Sequence, residues 1–531
     1  MRNLEIPGRS LAIARNGMAA TSHALSTLTA VNILQAGGNA MDAAVAACAV
    51  QCVVEPASTS IGGDCFALYA PQGRDNIIAF NGSGRAPAAA SVASYRKQTV
   101  GPVIPRHSPM AVTIPGAVDA WQQLIHDHGT MSFADVLAPA IRCAEDGYAI
   151  TERVHVDWAE QTELLNGEPT AREVFLVNGA APVIGSVHRQ PKLAETLRRI
   201  AAEGAKAFYT GEVARDIVEY LQSRGGVHTM QDFAEARGEY VSPIHTCFRG
   251  FDVYECPPNG QGIVALLILN ILSRYKAGES PMSITRLHRI IEATRLAYSV
   301  RDSALADPLV SAVPVEHVLS EEFAAELQKR IHVEGPVEEL GPVYVPEHKD
   351  TVYITVIDKD RNAASFINSI FAPFGSGLVS PKFGVLLNNR ATSFVLDDSH
   401  PNAVAPRKRP MHTIIPGMAV RDGRVAMSFG VMGGHYQAMG QAWFLSNVID
   451  HAMDLQEAMS LPRVFPLPGT RTVEVEATVP ADITSALRAR GYELTIPTRP
   501  IGGAQAIAID WEKGVLIGAS DHRKDGCALG Y

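Results

Sequence analysis

A predicted β-hairpin that starts abruptly at residue 351 constrains the fold more than any other segment. The stretch 334–350 carries five acids and three prolines and is predicted to be a loop. From Thr351 the side chains alternate between two faces, as in a strand, and "DKDRN" then forms a turn before "AASFINSI" returns as the partner strand. We expect a buried hairpin, with Asn362 in a left-handed conformation at the turn.

The distribution of helical and strand patterns predicts the fold class. One helical run begins near Ser22 and ends at Gly37-Gly38, and a second, rich in alanine, spans about residues 40–54. Further helical patterns precede the hairpin, whereas strand patterns such as "FGVLLNN" and "GMAVRDGRVAMSFG" follow it. This order predicts a layered α/β protein whose sheets are covered by helices.

Composition excludes several classes of function. A net charge of -9 argues against a nucleic-acid partner, because the average surface repels phosphate. The chain offers neither the apolar core of a secretory signal nor 18 uninterrupted apolar residues, so we expect no membrane span and a cytoplasmic protein. Seven scattered cysteines without a CxxC pair predict reduced thiols. His126 and His128 fit the last turn of a helix better than a metal site, and we expect neither metal nor cofactor.

The junction between Asp350 and Thr351 has two interpretations. Asp-Thr is an ordinary loop-to-strand junction. Alternatively, the bond is cut in the working protein, and Thr351 then carries a free α-amine beside its own hydroxyl. A hydroxyl is a weak nucleophile that needs a neighbouring base, and an α-amine with a pKa of ~7.7 to 8.0 can serve as one. In the uncut chain the same nitrogen is an amide, so the precursor would be inactive.

A family resemblance favours the second interpretation. From about residue 16 to the C-terminus, the chain resembles the γ-glutamyltransferases in a series of motifs that come in the same order: "AATSHALSTLTAVNILQAGGNAMDAAVAA", "STSIGGDCFALY", "PPNGQG", "DTVYITVIDKDRNAASFINS", "KRPMHTIIPGMAV", "GVMGGH" and "GASDHRKDGCALGY". The resemblance implies an N-terminal-nucleophile hydrolase with an αββα sandwich, in which helices cover two stacked, mainly antiparallel sheets.

The resemblance also implies a precursor that cuts itself. Thr351 matches the family nucleophile, so residues 1–350 would form a large fragment and residues 351–531 a small one. The two would pair as a heterodimer and together form one αββα domain, and whether such pairs dimerise again stays open.

Four further residues are candidates for the catalytic machinery, and the resemblance supplies three of them. Gly433-Gly434 corresponds to the glycine pair whose backbone amides form the oxyanion hole, although a Gly-Gly is also compatible with a plain turn. Ser369 corresponds to the hydroxyl that orients the nucleophile. Thr355 shares a strand face with Thr351 and is a weaker candidate, since a packed strand threonine would look the same.

The donor-binding positions depart from the family. Ser83 stands where the family has an arginine, Arg390 where it has an amide and Ser393 where it has an acid. Phe371 replaces an asparagine, and His412-Thr413 replaces a Ser-Ser pair.

These changes remove both charged groups that would hold a zwitterionic amino acid, and Arg390, with Arg85, supplies positive charge elsewhere. We therefore expect a small amide donor that carries a carboxylate and no α-amino group, as in the oxamate amidohydrolases of this superfamily. Three alternatives stay open: a γ-glutamyl transferase or glutathione hydrolase that uses Arg85, a non-catalytic assembly or binding homologue, and a surface ion pair as the only role of Arg390.

Overall fold

The computed structural model describes residues 8–99, 101–338, 340–341 and 351–531. Asp350, half of the predicted cleavage site, lies outside these residues. The strands are β1 Ala12–Ala14, β2 Met18–Thr21, β3 Asp64–Ala70, β4 Ile78–Gly82, β5 Tyr148–Ala149, β6 Val187–His188, β7 Glu239–Val241, β8 Ile244–Phe248, β9 Phe251–Glu255, β10 Val352–Ile357, β11 Ala363–Ser369, β12 Gly417–Arg421, β13 Arg424–Met432, β14 Val464–Pro466, β15 Thr472–Val475, β16 Glu493–Thr495, β17 Gly503–Asp510, β18 Val515–Ser520 and β19 Ala528–Gly530.

The helices range from single turns to one long helix, α14. They are α1 Ala24–Gln35, α2 Ala40–Val54, α3 Val92–Arg96, α4 Ala117–His128, α5 Phe133–Asp146, α6 Glu152–Ala159, α7 Thr162–Asn166, α8 Pro169–Phe175, α9 Pro191–Glu203, α10 Lys206–Tyr209, α11 Glu212–Ser223, α12 Met230–Ala234, α13 Gly262–Ser273, α14 Ile284–Ala304, α15 Val315–Val318, α16 Glu321–Lys329, α17 Tyr436–Asp450, α18 Leu455–Ser460 and α19 Ala481–Ala489.

Two large antiparallel sheets form the centre of the fold. The first, which we call the β10 sheet, has the strand order β19-β2-β10-β11-β3-β4-β7. The second, the β13 sheet, has the order β1-β18-β17-β13-β12-β9-β8. The predicted hairpin is confirmed as β10 and β11, which pair from Val352 with Asn368 to Ile357 with Ala363. It occupies the middle of its sheet, flanked by β2 and β3.

The fold has four layers, namely helices, two sheets and helices, and an apolar cluster fills each of the three spaces between them. A cluster that includes Tyr353 and Met432 fills the space between the two sheets. Gly430 is required there, because a Cβ at this position would lie 2.3 Å from the Tyr353 ring. A second cluster joins α2, α4 and α5 to the β10 sheet, and a third joins α13, α14 and α17 to the β13 sheet. The expected αββα sandwich is confirmed.

Two local predictions are wrong. At the hairpin turn Arg361, with φ of 65°, takes the left-handed conformation, while the Asn362 amide donates to Asp358 Oδ2 over 2.8 Å. The side-chain bond stabilises the turn without a positive φ at Asn362. The segment "FGVLLNN" forms only isolated bridges, such as that between Gly62 and Leu387, and no strand. Within the described ranges, none of the helices has the length and apolar character needed to cross a bilayer.

Candidate active site

Thr351 lies where the central strand of the β10 sheet begins. It immediately precedes β10 and is buried. Its hydroxyl donates to Ser369 Oγ over 3.2 Å, and Gln437 Nε2 donates to Thr351 Oγ1 over 3.4 Å. Two neighbouring elements, β11 and the first turn of α17, therefore hold the side chain that the sequence singled out as the nucleophile.

Ser369 is the last residue of β11, directly opposite Thr351 in the antiparallel register that starts with Val352 and Asn368. Its oxygen also accepts from the Phe371 amide over 3.0 Å and from Arg390 Nη2 over 3.2 Å. A hydroxyl held by a backbone amide and a guanidinium has little rotational freedom. This arrangement fits an orienting role for Ser369.

Arg390 begins the 3-10 turn Arg390–Ser393 and is fully buried. Its Nη1 donates to Thr413 Oγ1 over 3.1 Å, and its guanidinium lies 4.5 Å from the centre of the Phe371 ring. Its Nε is 3.6 Å from Asp64 Oδ2. Burial lowers the pKa of Arg390 to about 9, and Asp64 opposes that shift, so the side chain is charged at neutral pH. The alternative of a surface ion pair is therefore wrong: the pair is internal.

Asp64, which the sequence analysis missed, connects three segments around Arg390. Its Oδ1 accepts from the Gly84 amide over 2.7 Å, and its Oδ2 accepts from His412 Nε2 over 3.1 Å. His412 Nδ1 accepts from the Ile414 amide over 3.4 Å. Burial, and then the charge of Arg390, lower the pKa of His412 to about 4, so the ring is neutral with its proton on Nε2. The sequence signal that could have revealed Asp64 is a carboxylate at the start of an otherwise apolar strand, β3.

Gly433 and Gly434 form the turn between β13 and α17. Both take left-handed conformations, with φ of 127° and 58°, which favour glycine. A Cβ on Gly433 would also lie 2.9 Å from Gly502 Cα. Gln437, in the following turn of α17, connects the glycine turn to Thr351: its backbone amide donates to the Gly434 carbonyl over 3.3 Å and its Nε2 to Thr351 Oγ1.

Thr355 and Ser393 are both buried. The Thr355 hydroxyl donates to Ser428 Oγ over 2.8 Å across the space between the sheets, four residues or about 13 Å along the strand from Thr351. The Ser393 hydroxyl has no hydrogen-bond partner among the described residues. Thr355 thus has the contacts of a packed strand threonine.

Ser83 and Arg85 line the same cleft but have different polar partners. The Ser83 hydroxyl donates to Asn81 Oδ1 over 2.7 Å and lies next to Gly84, the partner of Asp64. Arg85 pairs with Asp307 at 3.4 Å and with Glu239 at 3.5 Å, and it lines a partly open cleft of about 320 Å³. Arg390 thus contacts Ser369, the hydrogen-bond partner of Thr351, whereas Arg85 is held by Asp307 and Glu239.

Metal-binding clusters of three or more His, Cys, Asp or Glu side chains are absent from the described residues. His126 and His128 lie in the last turn of α4, as predicted. His128 instead contacts the Tyr240 hydroxyl, over 3.2 Å.

Comparison with known proteins identifies the family. A family model described as gamma-glutamyltranspeptidase matches residues 26–531. The chain is 36% identical to the glutathione hydrolase-like YwrD proenzyme of Bacillus subtilis, over 97% of this chain and 98% of that protein. It is 35% identical to the oxamate amidohydrolase proenzyme of Klebsiella pneumoniae, over 98% of this chain and 99% of that protein.

A solved structure agrees with these relatives. The crystal structure of cephalosporin acylase from Bacillus halodurans superposes with a TM-score of 0.93 at 36% identity, and the match covers 100% of this chain and 99% of that one. The three names are those of a glutathione hydrolase-like protein, an oxamate amidohydrolase and a cephalosporin acylase, and the first two are named as proenzymes. The chain is therefore an enzyme that belongs to the gamma-glutamyltranspeptidase family, within the N-terminal-nucleophile hydrolases.

Proposed function

We propose that the chain cuts itself before Thr351 and then hydrolyses the amide of a small carboxylate-bearing donor, with oxamate as the candidate substrate. One observation carries the proposal: Thr351, Ser369 and Arg390 form a continuous chain of two hydrogen bonds, each 3.2 Å long. A buried cation thus lies two hydrogen bonds from the hydroxyl that would attack. The names of the relatives support the same class of reaction.

In the proposed maturation, the Thr351 hydroxyl attacks the carbonyl of Asp350. The acyl group moves from nitrogen to oxygen, and water opens the resulting ester. Residues 1–350 then end in a carboxylate, and residues 351–531 begin with a free α-amine. This amine is the base that the mature site requires.

In the proposed reaction, Thr351 Oγ attacks the donor's amide carbonyl and its proton passes to the α-amine. The N–H groups of the Gly433-Gly434 turn stabilise the oxyanion, where one such donor lowers the barrier by roughly 3 to 4 kcal/mol. Ammonia leaves with the proton, and water then hydrolyses the acyl-threonine. For oxamate, the balance is one water consumed and one ammonia and one oxalate formed.

Arg390 is suited to bind the donor's carboxylate. A guanidinium has five N–H donors, and Arg390 uses one for Ser369 and one for Thr413. Because the guanidinium lies so close to Thr351, a carboxylate that it binds must be bonded directly to the reacting carbonyl carbon, or nearly so. Oxamate meets this requirement, whereas the α-carboxylate of a γ-glutamyl donor lies three carbons farther away.

The charges around Arg390 also disfavour an amino acid. Asp64 is the acid of this cluster, and its oxygens already accept from Gly84 and His412 while it neutralises Arg390. An α-ammonium group would have to compete with those partners for a buried carboxylate. Desolvating it without a partner costs several kcal/mol, so γ-glutamyl donors should bind weakly.

A comparison of two substrates tests the proposal. Cleaved protein is assayed for ammonia from oxamate and for aniline release from a γ-glutamyl anilide, with Thr351→Ala as the inactive control. We expect ammonia from oxamate and little release from the anilide. The reverse result would favour a glutathione hydrolase, and a wild type that neither splits nor hydrolyses either compound would favour a non-catalytic homologue.

A further inference from the structure

Gln261, at the start of α13, connects the glycine turn to the segment that holds Arg390. Its side chain is fully buried. Its Nε2 donates to the carbonyl of Thr413 over 2.8 Å and to the carbonyl of Gly434 over 3.2 Å. Its backbone amide donates to the carbonyl of His412 over 2.8 Å. The side-chain amide of Gln261 thus binds two segments of the candidate active site, one at Thr413 and one at Gly434.

Arg301, on α14, holds the other end of Gln261. Its Nη1 donates to Gln261 Oε1 over 3.1 Å and to His435 Nδ1 over 2.8 Å. The guanidinium stacks over Tyr298 at 4.4 Å, and the Tyr298 hydroxyl donates to the His435 carbonyl. Since Arg301, His435 and Tyr298 are all buried, Gln261 is held on a rigid base.

These contacts restrain the two peptide planes on either side of Gly434. A peptide unit is planar, so a bond to the carbonyl of one residue fixes the N–H of the next. The Tyr436 amide donates to the Gly433 carbonyl over 3.0 Å and fixes the first plane. Gln261 holds the second plane, which carries the His435 N–H, through the Gly434 carbonyl, and the Gln437 amide donates to the same carbonyl over 3.3 Å. Gly434 lies between the two planes, and without Gln261 its flexible backbone is held on the second side only by the Gln437 amide.

We propose that Gln261 is a positioning residue that holds the Gly433-Gly434 turn in the orientation in which its amides receive the oxyanion. The inference rests on the proposed function, since it assigns a support to the same site. The support acts through the backbone and not by contact with the substrate. Loss of oxyanion stabilisation affects the transition state and leaves the ground state nearly unchanged, so the effect should fall on kcat.

Two substitutions separate the N–H donors of Gln261 from its volume. Gln261→Glu keeps the shape of the side chain and an oxygen for Arg301, but it has no N–H to donate to Thr413 and Gly434. Gln261→Ala removes the N–H donors, the oxygen and the volume of the side chain. If Gln261 only fills space and pairs with Arg301, Gln261→Glu should keep its activity. If it positions the turn, both variants should lose activity.

Gln190→Ala is the matched control for a general loss of packing in the protein interior. Gln190 is also buried, and its Nε2 donates to a backbone carbonyl, that of Val53, over 2.7 Å. The control removes the same kind of hydrogen bond from α2, which contains Val53 and packs on the β10 sheet.

The experiment measures kcat and KM per mole of cleaved chain, on whichever amide the wild type hydrolyses. We expect both Gln261 variants to lose at least about tenfold in kcat with KM changed by less than about threefold, and Gln190→Ala to stay within about twofold of wild type. An active wild type with a fully active Gln261→Glu variant, or an effect confined to KM, would overturn the inference alone. A wild type that hydrolyses no amide would overturn the proposed function and the inference with it.

Discussion

The hydroxyl of Thr351 lies 3.2 Å from the oxygen of Ser369, at the point where β10 begins and β11 ends. The contact follows from the antiparallel register, because the residue before Val352 lies opposite the residue after Asn368. The hairpin lies at the centre of its sheet, between β2 and β3. The Thr351 hydroxyl is thus positioned by backbone pairing and not by a loop.

Removing the Ser369 hydroxyl should slow catalysis. Ser369→Ala leaves the buried Thr351 hydroxyl and one Arg390 N–H without their shared acceptor, at a cost of about 1 to 3 kcal/mol. We expect kcat to fall by about 10- to 100-fold. Steady-state kinetics on the cleaved enzyme measure the loss.

A second Ser–Thr pair, formed by Ser428 on β13 and Thr355 on β10, provides the control for Ser369. Ser428 accepts from Thr355 over 2.8 Å between the sheets. Ser428→Ala removes an equally buried hydroxyl and should leave kcat within a few-fold of wild type. Equal losses in the two variants would mean that Ser369 contributes only to packing.

Replacing Arg390 with lysine should weaken binding of the carboxylate. Arg390→Lys keeps a positive charge near Asp64 but loses the planar fork that binds a carboxylate through two parallel bonds. We expect KM for oxamate to rise about tenfold or more, with a smaller change in kcat. The same kinetics with Arg85→Gln separate the two arginines: a rise in KM from that variant, and none from Arg390→Lys, would assign the carboxylate to Arg85.

Glu255 should make the fold less stable at high pH. It is fully buried on β9, neither carboxyl oxygen has a hydrogen-bond partner among the described residues, and burial raises its pKa well above 4.5. The native state therefore keeps a proton that the unfolded chain releases above pH 4.5, so its contribution to stability is lost as pH rises from there.

Glu255→Gln tests this effect. The neutral amide can donate to Gln441, which lies beside Glu255 and whose Oε1 also lacks a partner among the described residues. We expect the free energy of unfolding to rise by about 1 to 3 kcal/mol at pH 8 and the difference to vanish near pH 4. Thermal melts across this range provide the measurement, and parallel pH profiles for the two proteins would show that Glu255 is not the source.

Local patterns predicted the elements of the fold well, because they depend on neighbouring residues. α2 has the predicted bounds, and the hairpin is formed by the predicted segments. The sandwich itself was predicted from the family resemblance, since no periodicity indicates which sheet packs on which. The turn was wrong because a side-chain bond from Asn362 replaced a left-handed backbone.

The candidate site was predicted only where a motif supplied its residues. Thr351, Ser369 and Arg390 come together as expected, although the sequence could not indicate that the pair of Arg390 with Asp64 is buried. Asp64 and Gln261 were missed because their contacts join segments more than a hundred residues apart. Arg85 was included because it is a cation near a motif, but its partners Glu239 and Asp307 hold it in a cleft that Ser83 also lines.

The central claim, that a free amine at Thr351 creates the active enzyme, is tested most directly by N-terminal sequencing of the purified protein. The protein should separate into two chains, the smaller of which begins Thr-Val-Tyr-Ile, while Thr351→Ala should remain one inactive chain of 531 residues. A wild type that hydrolyses amides at full rate as a single uncut chain, or a small fragment that begins at another residue, would contradict the claim.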